Sequence, residues 1–330
     1  MKTLEEIVAQ HRAEWAARSL AQQQLEIANN EAVAKLYGLE DEVPSYVPLE
    51  RVSLTNNSAF RWPNKSPEER DILFTQSAIL DLLSYAVGCM FGRYSLDEPG
   101  LILASQGETL KDYLARVPNP SFMPDRDNVI PVTSGDWFDD NIEARFRQFL
   151  RIAFGKSNAH ENLQFIEETL GKSIKQYFLK DFYADHVKRY KNRPIYWMFS
   201  SRPDGKGSFN ALVYLHRYTP ATLNALLNEY LREFQEKLRG TITSLDGSTD
   251  AAAKKRSDVL RPVLTECEDY ERDVLYPLVL RNPQIDLDDG VLVNYLRFGR
   301  AVLRIRAIED KRSDVEQWTW PVNPLRPEDA

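Results

Sequence analysis

Two short runs constrain this chain more than any other feature: residues 195–199 (IYWMF) and 209–215 (FNALVYL). Aromatic and β-branched side chains dominate both. The nine residues between them, SSRPDGKGS, carry the Pro, Asp and Gly that tight turns need. The pair predicts an antiparallel hairpin with a basic tip at Arg202 and Lys206. No second pair of this kind occurs, so the fold must be carried by helices. The expected class is mainly α with a small antiparallel β component (α+β): helical, bundle-like parts plus a β-hairpin near 194–217.

Helical periodicity accounts for most of the rest. Residues 3–37 place Leu4, Ile7, Trp15, Leu25, Ala28, Ala32 and Leu36 on one face, with Gly38 as the C-cap. Four prolines break 41–67 into an extended connector, with a short strand expected at 52–55. Residues 68–94 are apolar around most of a helical circumference and predict a buried helix. Turns fill 97–136, and Asp136 is placed to cap the next helix. Helices are expected at 139–154, 158–169 and 172–190. Thr219 and Pro220 open another, running through Leu238. After a break at 240–249, a helix at 250–280 carries Pro262 and Pro277, and a last helix covers 289–310. The tail WTWPVNPLRPEDA reads as irregular. This organisation divides into 1–67 (helix and connector), 68–135 (helix and loops) and 136–330 (helical, with the hairpin), with two loosely divided parts meeting near 115–140.

Composition narrows the function classes. The chain has 330 residues, 43% hydrophobic, and a mean hydropathy of -0.46, enough for a real core. No apolar run is read as approaching the roughly 20 residues that span a bilayer, so no membrane partner is expected. Cys89 and Cys267 form no CxxC pair and lie in apolar helical stretches, as buried thiols in a reducing cytoplasm would. Net charge is -7, yet residues 180–217 hold eight Lys/Arg against three Asp. That local balance of +5 leaves -12 for the remainder, and points to a polyanion site on an acidic protein.

A complete active site is not found. The 14 glycines are scattered, with no GxGxxG or GxxxxGK[ST]. Those in FGRYS and FGRAV read as helix-packing glycines. The four histidines are far apart, so no metal ligand is assigned. DWFDD and DLDD resemble nuclease carboxylates but fit helix starts and solvated loops better. NPSF (119–122) lacks the second proline of a base-flipping [DN]PP[YFW] loop. No catalytic, cofactor-binding or metal residue is therefore assigned.

Two basic constellations remain. In HVKRYKNRPIYWMFSS (186–201), Lys188, Arg189, Lys191 and Arg193 are placed to neutralise phosphates, and Tyr190, Tyr196 and Trp197 to stack on bases. Arg202 and Lys206 at the tip, with His216 and Arg217 on the return, extend this DNA-binding candidate. A solvated helix end explains the same cations equally well. In 297–312, Arg297, Arg300 and Arg304 share a helical face, best read as a salt-bridged surface.

The same stretches resemble a known family. AVGCMFGRYSLDEPGLILASQGETL (86–110), DNVIPVTSGDWFDDNIEARFRQFLRIAFG (127–155) and KDFYADHVKRYKNRPIYWMFSSRPDGKGSFNALVYLHRY (180–218) resemble the region after the methyltransferase domain of the PglX family. Its members are the adenine-specific DNA methyltransferases of the BREX phage-defence system. YGLEDEVPSYVPLERVSL (37–54) fits the segment before them, and the match is collinear over nearly the whole chain. The resemblance implies a DNA-recognition or clamp region. Family members carry an S-adenosylmethionine-binding Rossmann domain and an NPPY-type loop N-terminal to this region. This chain starts with Met where the following helical linker would lie, as a split subunit, a truncation or a late start would. No catalytic residue carries over, and S-adenosylmethionine is expected only of a full-length member. The implied partners are double-stranded DNA, a methyltransferase catalytic domain in cis or in trans, and other BREX proteins. The alternative expectation is a protein–protein scaffold, which requires an exposed apolar patch on the 4–36 helix or the WTW tail.

Overall fold

A computed structural model of the chain describes residues 2–317, so the expected irregular tail lies outside the described residues. The chain forms two compact units, one of Met1–Ser84 and Leu150–Lys172, the other of Tyr85–Phe149 and Ser173–Ala330. The first is thus assembled from segments far apart in sequence.

In the first unit, α1 (Leu4–Tyr37) starts on a capping box. The Thr3 hydroxyl accepts the Glu6 N–H at 3.3 Å, and the Glu6 carboxylate accepts the Thr3 N–H at 2.9 Å. It ends on Gly38 in the left-handed region. The row it buries is not the expected one. Leu4, Val8, Ser19, Gln23 and Ala34 turn inward, while Leu25 and Leu36 stay 65% and 79% exposed. Its ties are polar: the Gln23 amide donates to Val47 O at 2.8 Å and the Asn30 amide to Ser45 O. The Asn162 side-chain Oδ1 on α6 (Ala159–Leu170) accepts the Leu4 N–H at 2.7 Å.

The strand expected at 52–55 does not form. Asn57 donates to the carbonyls of Leu49 and Val52 and caps α2 (Ser58–Arg61), so the backbone is held in a 3-10 turn at Leu49–Arg51. Helix α3 (Pro67–Met90) matches the expected buried helix, with Ile79, Leu83, Ala86, Val87 and Met90 inaccessible. By length and composition alone it is apolar enough to cross a bilayer, which corrects the reading that no run approaches that size. A core helix passes the same test, and much of α3 is core.

The second unit is built on a three-stranded antiparallel sheet: β1 (Val129–Pro131), β2 (Tyr196–Ser200) and β3 (Asn210–Tyr214), in the order β1-β3-β2. The hairpin is the expected one, with Trp197 opposite Val213 and Tyr196 opposite Tyr214. β1 and the helix α4 (Leu110–Arg116) arise where only loops were expected. Three residues are too few to show periodicity, but TLKD at 109–112 is a capping box whose signal was legible. The sheet is covered by aromatic contacts: Phe91 stacks on Tyr196 at 5.0 Å, and Trp197 meets Tyr295 and Phe298 edge-on at 5.2 and 5.1 Å.

Other helices deviate for local reasons. α5 (Ile142–Ala153) is capped by Asn141, whose side-chain Oδ1 accepts the Ala144 N–H, and not by Asp136. The expected 172–190 helix breaks at Asp181 into α7 (Ile174–Lys180) and α8 (Phe182–Arg189). α9 (Pro220–Ala225) continues through a π turn into α10 (Arg232–Asp246), overriding the expected break at Gly240. α11 (Ala251–Tyr270) accommodates Pro262 and passes through a second π turn into α12 (Tyr276–Arg281). The expected 289–310 helix is instead α13 (Gly290–Arg297), an extended stretch, and α14 (Arg306–Glu309), followed by α15 (Arg312–Glu316). Gly92 and Gly299 are not helix-packing residues: both take positive φ, 75° and 52°, after a helix end. Cys89 and Cys267 are buried as expected, and burial pushes both thiols up to about 12.

Candidate nucleic-acid interface

Four cations of the second unit, Lys180, Lys188, Arg304 and Arg306, line one cleft beside the sheet, with a volume of about 740 Å³. One wall is α7 and α8, contributing Leu179, Lys180, Ala184, Val187 and Lys188. The hairpin tip, Asp204 and Gly205, and the extended segment 303–305 with the start of α14 form the other. That segment is held against β2 like a further strand: Leu303 N–H donates to Met198 O at 2.7 Å, and Arg304 N–H to Pro203 O at 2.8 Å. Its polarity is uneven. Lys180, Lys188, Arg304 and Arg306 line the cleft against Asp204 and Asp310. Asp310 lies 3.7 Å from Arg306, which remains 91% exposed.

Backbone geometry fixes both rims. After α8 the chain turns through Lys191 and Asn192, both left-handed at φ 51° and 63°. Asn tolerates this conformation; a lysine does so at a cost. The turn projects Lys191 and Arg193 into solvent beside Lys188. At the hairpin, a Cβ on Gly207 would lie 2.6 Å from Ser200 Oγ and 2.8 Å from Arg202 N, so only glycine closes the loop. Glu266 of α11 anchors the base, accepting Ser201 Oγ–H at 2.5 Å and Ser208 N–H at 2.7 Å.

The candidate residues separate into distinct groups. Lys188 and Asn192 line the same cleft as the tip. Lys191, Arg193 and Lys206 are exposed and form no ion pair among the described residues. Arg189 is exposed and has a partner of its own. Arg202 is paired with Asp204 at 2.6 Å and faces a second groove along α11. Arg217 is not a surface cation: it is 7% exposed, donating to Phe91 O and Arg126 O. Neither Tyr196 nor Trp197 offers a stacking face, since both are buried and the Trp197 indole N–H donates to Pro194 O. The Tyr190 ring packs 4.8 Å from His186.

Both histidines here are neutral, His186 buried in the core and His216 half-buried. His186 Nε2 accepts the Tyr196 N–H at 3.1 Å, and burial, with Arg189 and Arg93 adding repulsion, pushes its pKa down to about 3. His216 stacks on Tyr214 at 4.9 Å and is pushed down to about 4, again mainly by burial. The arginine trio is also redistributed. Arg297 pairs with Asp289 at 2.7 Å, Arg300 lines the α11 groove and Arg304 lines the cationic cleft. Sequence reading missed Lys180, Arg304 and Arg306 as one group, because a strand-like segment inside an apparent helix brings them together.

The acidic strings have structural partners. The Tyr230 hydroxyl lies 3.0 Å from both Asp140 of DWFDD and Asp127, and donates its one proton to either carboxylate. Asp125 accepts the Val129 N–H at 3.0 Å, and burial next to Asp127 raises its pKa to about 7. Among the described residues no group of three or more His, Cys, Asp or Glu is arranged to hold a metal ion.

No family model matches the chain. It is 33% identical over 301 residues to the adenine-specific methyltransferase BrxX of Escherichia coli O9:H4 (strain HS), covering 84% of this chain and 25% of that protein. It is 31% identical over 321 residues to the adenine-specific methyltransferase PglX of Lacticaseibacillus casei (strain Zhang), covering 88% of this chain and 25% of that protein. The chain therefore spans about a quarter of the length of the curated relatives it matches.

Proposed function

We propose that this chain, a homologue of one quarter of the BrxX- and PglX-type adenine-specific methyltransferases, is a DNA-contacting region that performs no methyl transfer by itself. Its ligand is duplex DNA, held by phosphate contacts along the cationic cleft. S-adenosylmethionine and the reacting adenine belong to a methyltransferase part that acts with it in cis or in trans, in the cytoplasm and alongside other defence-system proteins.

The observation that carries this reading is local charge excess. In a chain of net charge -7, Lys180, Lys188, Arg304 and Arg306 line one cleft, with Asp204 and Asp310 as its acidic lining, and Lys191 and Arg193 are exposed in the turn that follows α8. Such cations gain most by displacing the counterions of a polyphosphate backbone. With Tyr196 and Trp197 buried, stacking on bases is no part of the proposal, and the contacts are to phosphate and sugar.

Fluorescence anisotropy of a labelled duplex, titrated with the wild-type chain and with Lys188→Glu/Arg189→Glu, tests it. Binding should weaken about tenfold or more in the variant, and equally for unrelated DNA sequences. An unchanged affinity would remove the cleft from the DNA-contacting surface.

A further inference from the structure

Helix α1 is built inside out. Its inward row, Leu4, Val8 and Ala34 included, is tied by Arg12, Gln23 and Asn30, whereas its outward row is apolar from Ala21 to Leu36. Glu14 and Arg18 occupy the stretch of the face between Ile7 and Ala21. Ile7, Leu25 and Leu36 are 18 and 11 residues apart, or five and about three helical turns, and so share it. Their exposures are 36%, 65% and 79%, and the alanines at 21, 28 and 32 between them are exposed too. From 21 to 36 the spacing is 4, 3, 4 and 4 residues, the pattern of a seam between two helices. Alanines in such a row let a second backbone come close.

Size decides what covers the seam. A row of about six side chains falls far short of the roughly 20–30 residues a side that a stable interface between free partners uses. A second copy of this chain is therefore a poor occupant. A helix of the same assembly, presented at high effective concentration, needs no such area. The relatives have the length for one, since about three quarters of each has no counterpart in this chain.

We propose that the Ile7–Leu25–Leu36 face of α1 docks an amphipathic helix from the remaining part of a BrxX- or PglX-type methyltransferase. The inference rests on the kinship above and not on DNA binding. The partner helix would present aliphatic side chains at three- and four-residue spacing, filling the gaps left by Ala21, Ala28 and Ala32.

The test co-expresses the 330-residue chain with the unmatched portion of the Escherichia coli relative and measures its retention on the tagged chain. Wild type should retain it. Leu25→Glu/Leu36→Glu should lower retention by about tenfold or more, the scale of losing buried aliphatic anchors. Leu20→Glu, 52% exposed and on the opposite side of α1, should leave it unchanged. Far-UV circular dichroism confirms that the helix persists in each variant. No retention, retention insensitive to the double substitution, or equal loss with Leu20→Glu would overturn the proposal. So would a wild-type dimer in sedimentation that the double substitution dissociates, which would make the occupant a second copy. Duplex binding by the double variant should match wild type, so the two proposals fail independently.

Discussion

The sheet of the second unit and the cleft beside it are made from the same stretch of sequence under opposite rules. In β2, five successive residues, Tyr196–Ser200, are all buried, and each is fixed by what it touches. A few residues earlier, Lys188 at the end of α8 and Lys191 and Arg193 in the turn after it are exposed and fixed only by the backbone that carries them. Burial makes the first group costly to change whatever the protein binds. The second group can change charge with little effect on folding. Charge in a sequence therefore identifies a candidate surface only once the aromatic residues interleaved with it are assigned to the core.

The sharpest way to break this contrast is Trp197→Ala, which should cost about 3–5 kcal/mol by opening a cavity between Tyr295 and Phe298. Chemical denaturation measures it, and a loss below about 1 kcal/mol would mean that the sheet is not the core of its unit. The opposite wing is tested by Lys188→Glu/Arg304→Glu, which reverses one cation on each wall of the cleft. Duplex affinity should fall about tenfold or more while the unfolding midpoint stays nearly unchanged. A variant that unfolds early instead would place these cations among the structural residues.

Two buried ionisable groups provide pH tests of the core with opposite signs. Asp125, with its pKa raised from 3.8 to about 7, keeps a proton in the folded chain that the unfolded chain has already lost. Its contribution is complete below the unfolded value and disappears as pH rises through about 7. Asp125→Asn should remove that decline, so the difference in melting temperature between variant and wild type should grow in the variant's favour from pH 4 to 8. Parallel curves would show that Asp125 is ionised in the fold. His186, lowered from 6.5 to about 3, acts in the reverse sense, with stability lost as pH falls through that interval. The smallest expected effect is at the turn: Lys191→Gly should relieve left-handed strain and stabilise by less than about 1 kcal/mol, with a modest loss of DNA affinity.

Much of the fold was legible because its signals are local. The hairpin followed from IYWMF and FNALVYL, the start of α9 from Thr219-Pro220, and the end of α1 from Gly38. What could not be read depended on distant partners. β1 is three residues long and forms only by pairing with the edge of β3 that β2 leaves open. The inward face of α1 was misassigned because apolar periodicity pointed to Leu25 and Leu36, whereas Gln23 and Asn30 make the ties. Of the candidate site, the 188–193 cations and the tip were found in sequence. Arg304 and Arg306 were not, because Leu303 and Arg304 leave the expected helix to pair with Met198 and Pro203.

The most direct test of the central claim is the salt dependence of duplex binding by the wild-type chain. Cleft cations acting on phosphates should give a linear fall of log K with log salt, at about -0.9 per phosphate neutralised, or roughly -4 to -5 for about five contacts. A slope near zero, or no binding at the lowest salt, would contradict the account and leave the cations as a solvated surface.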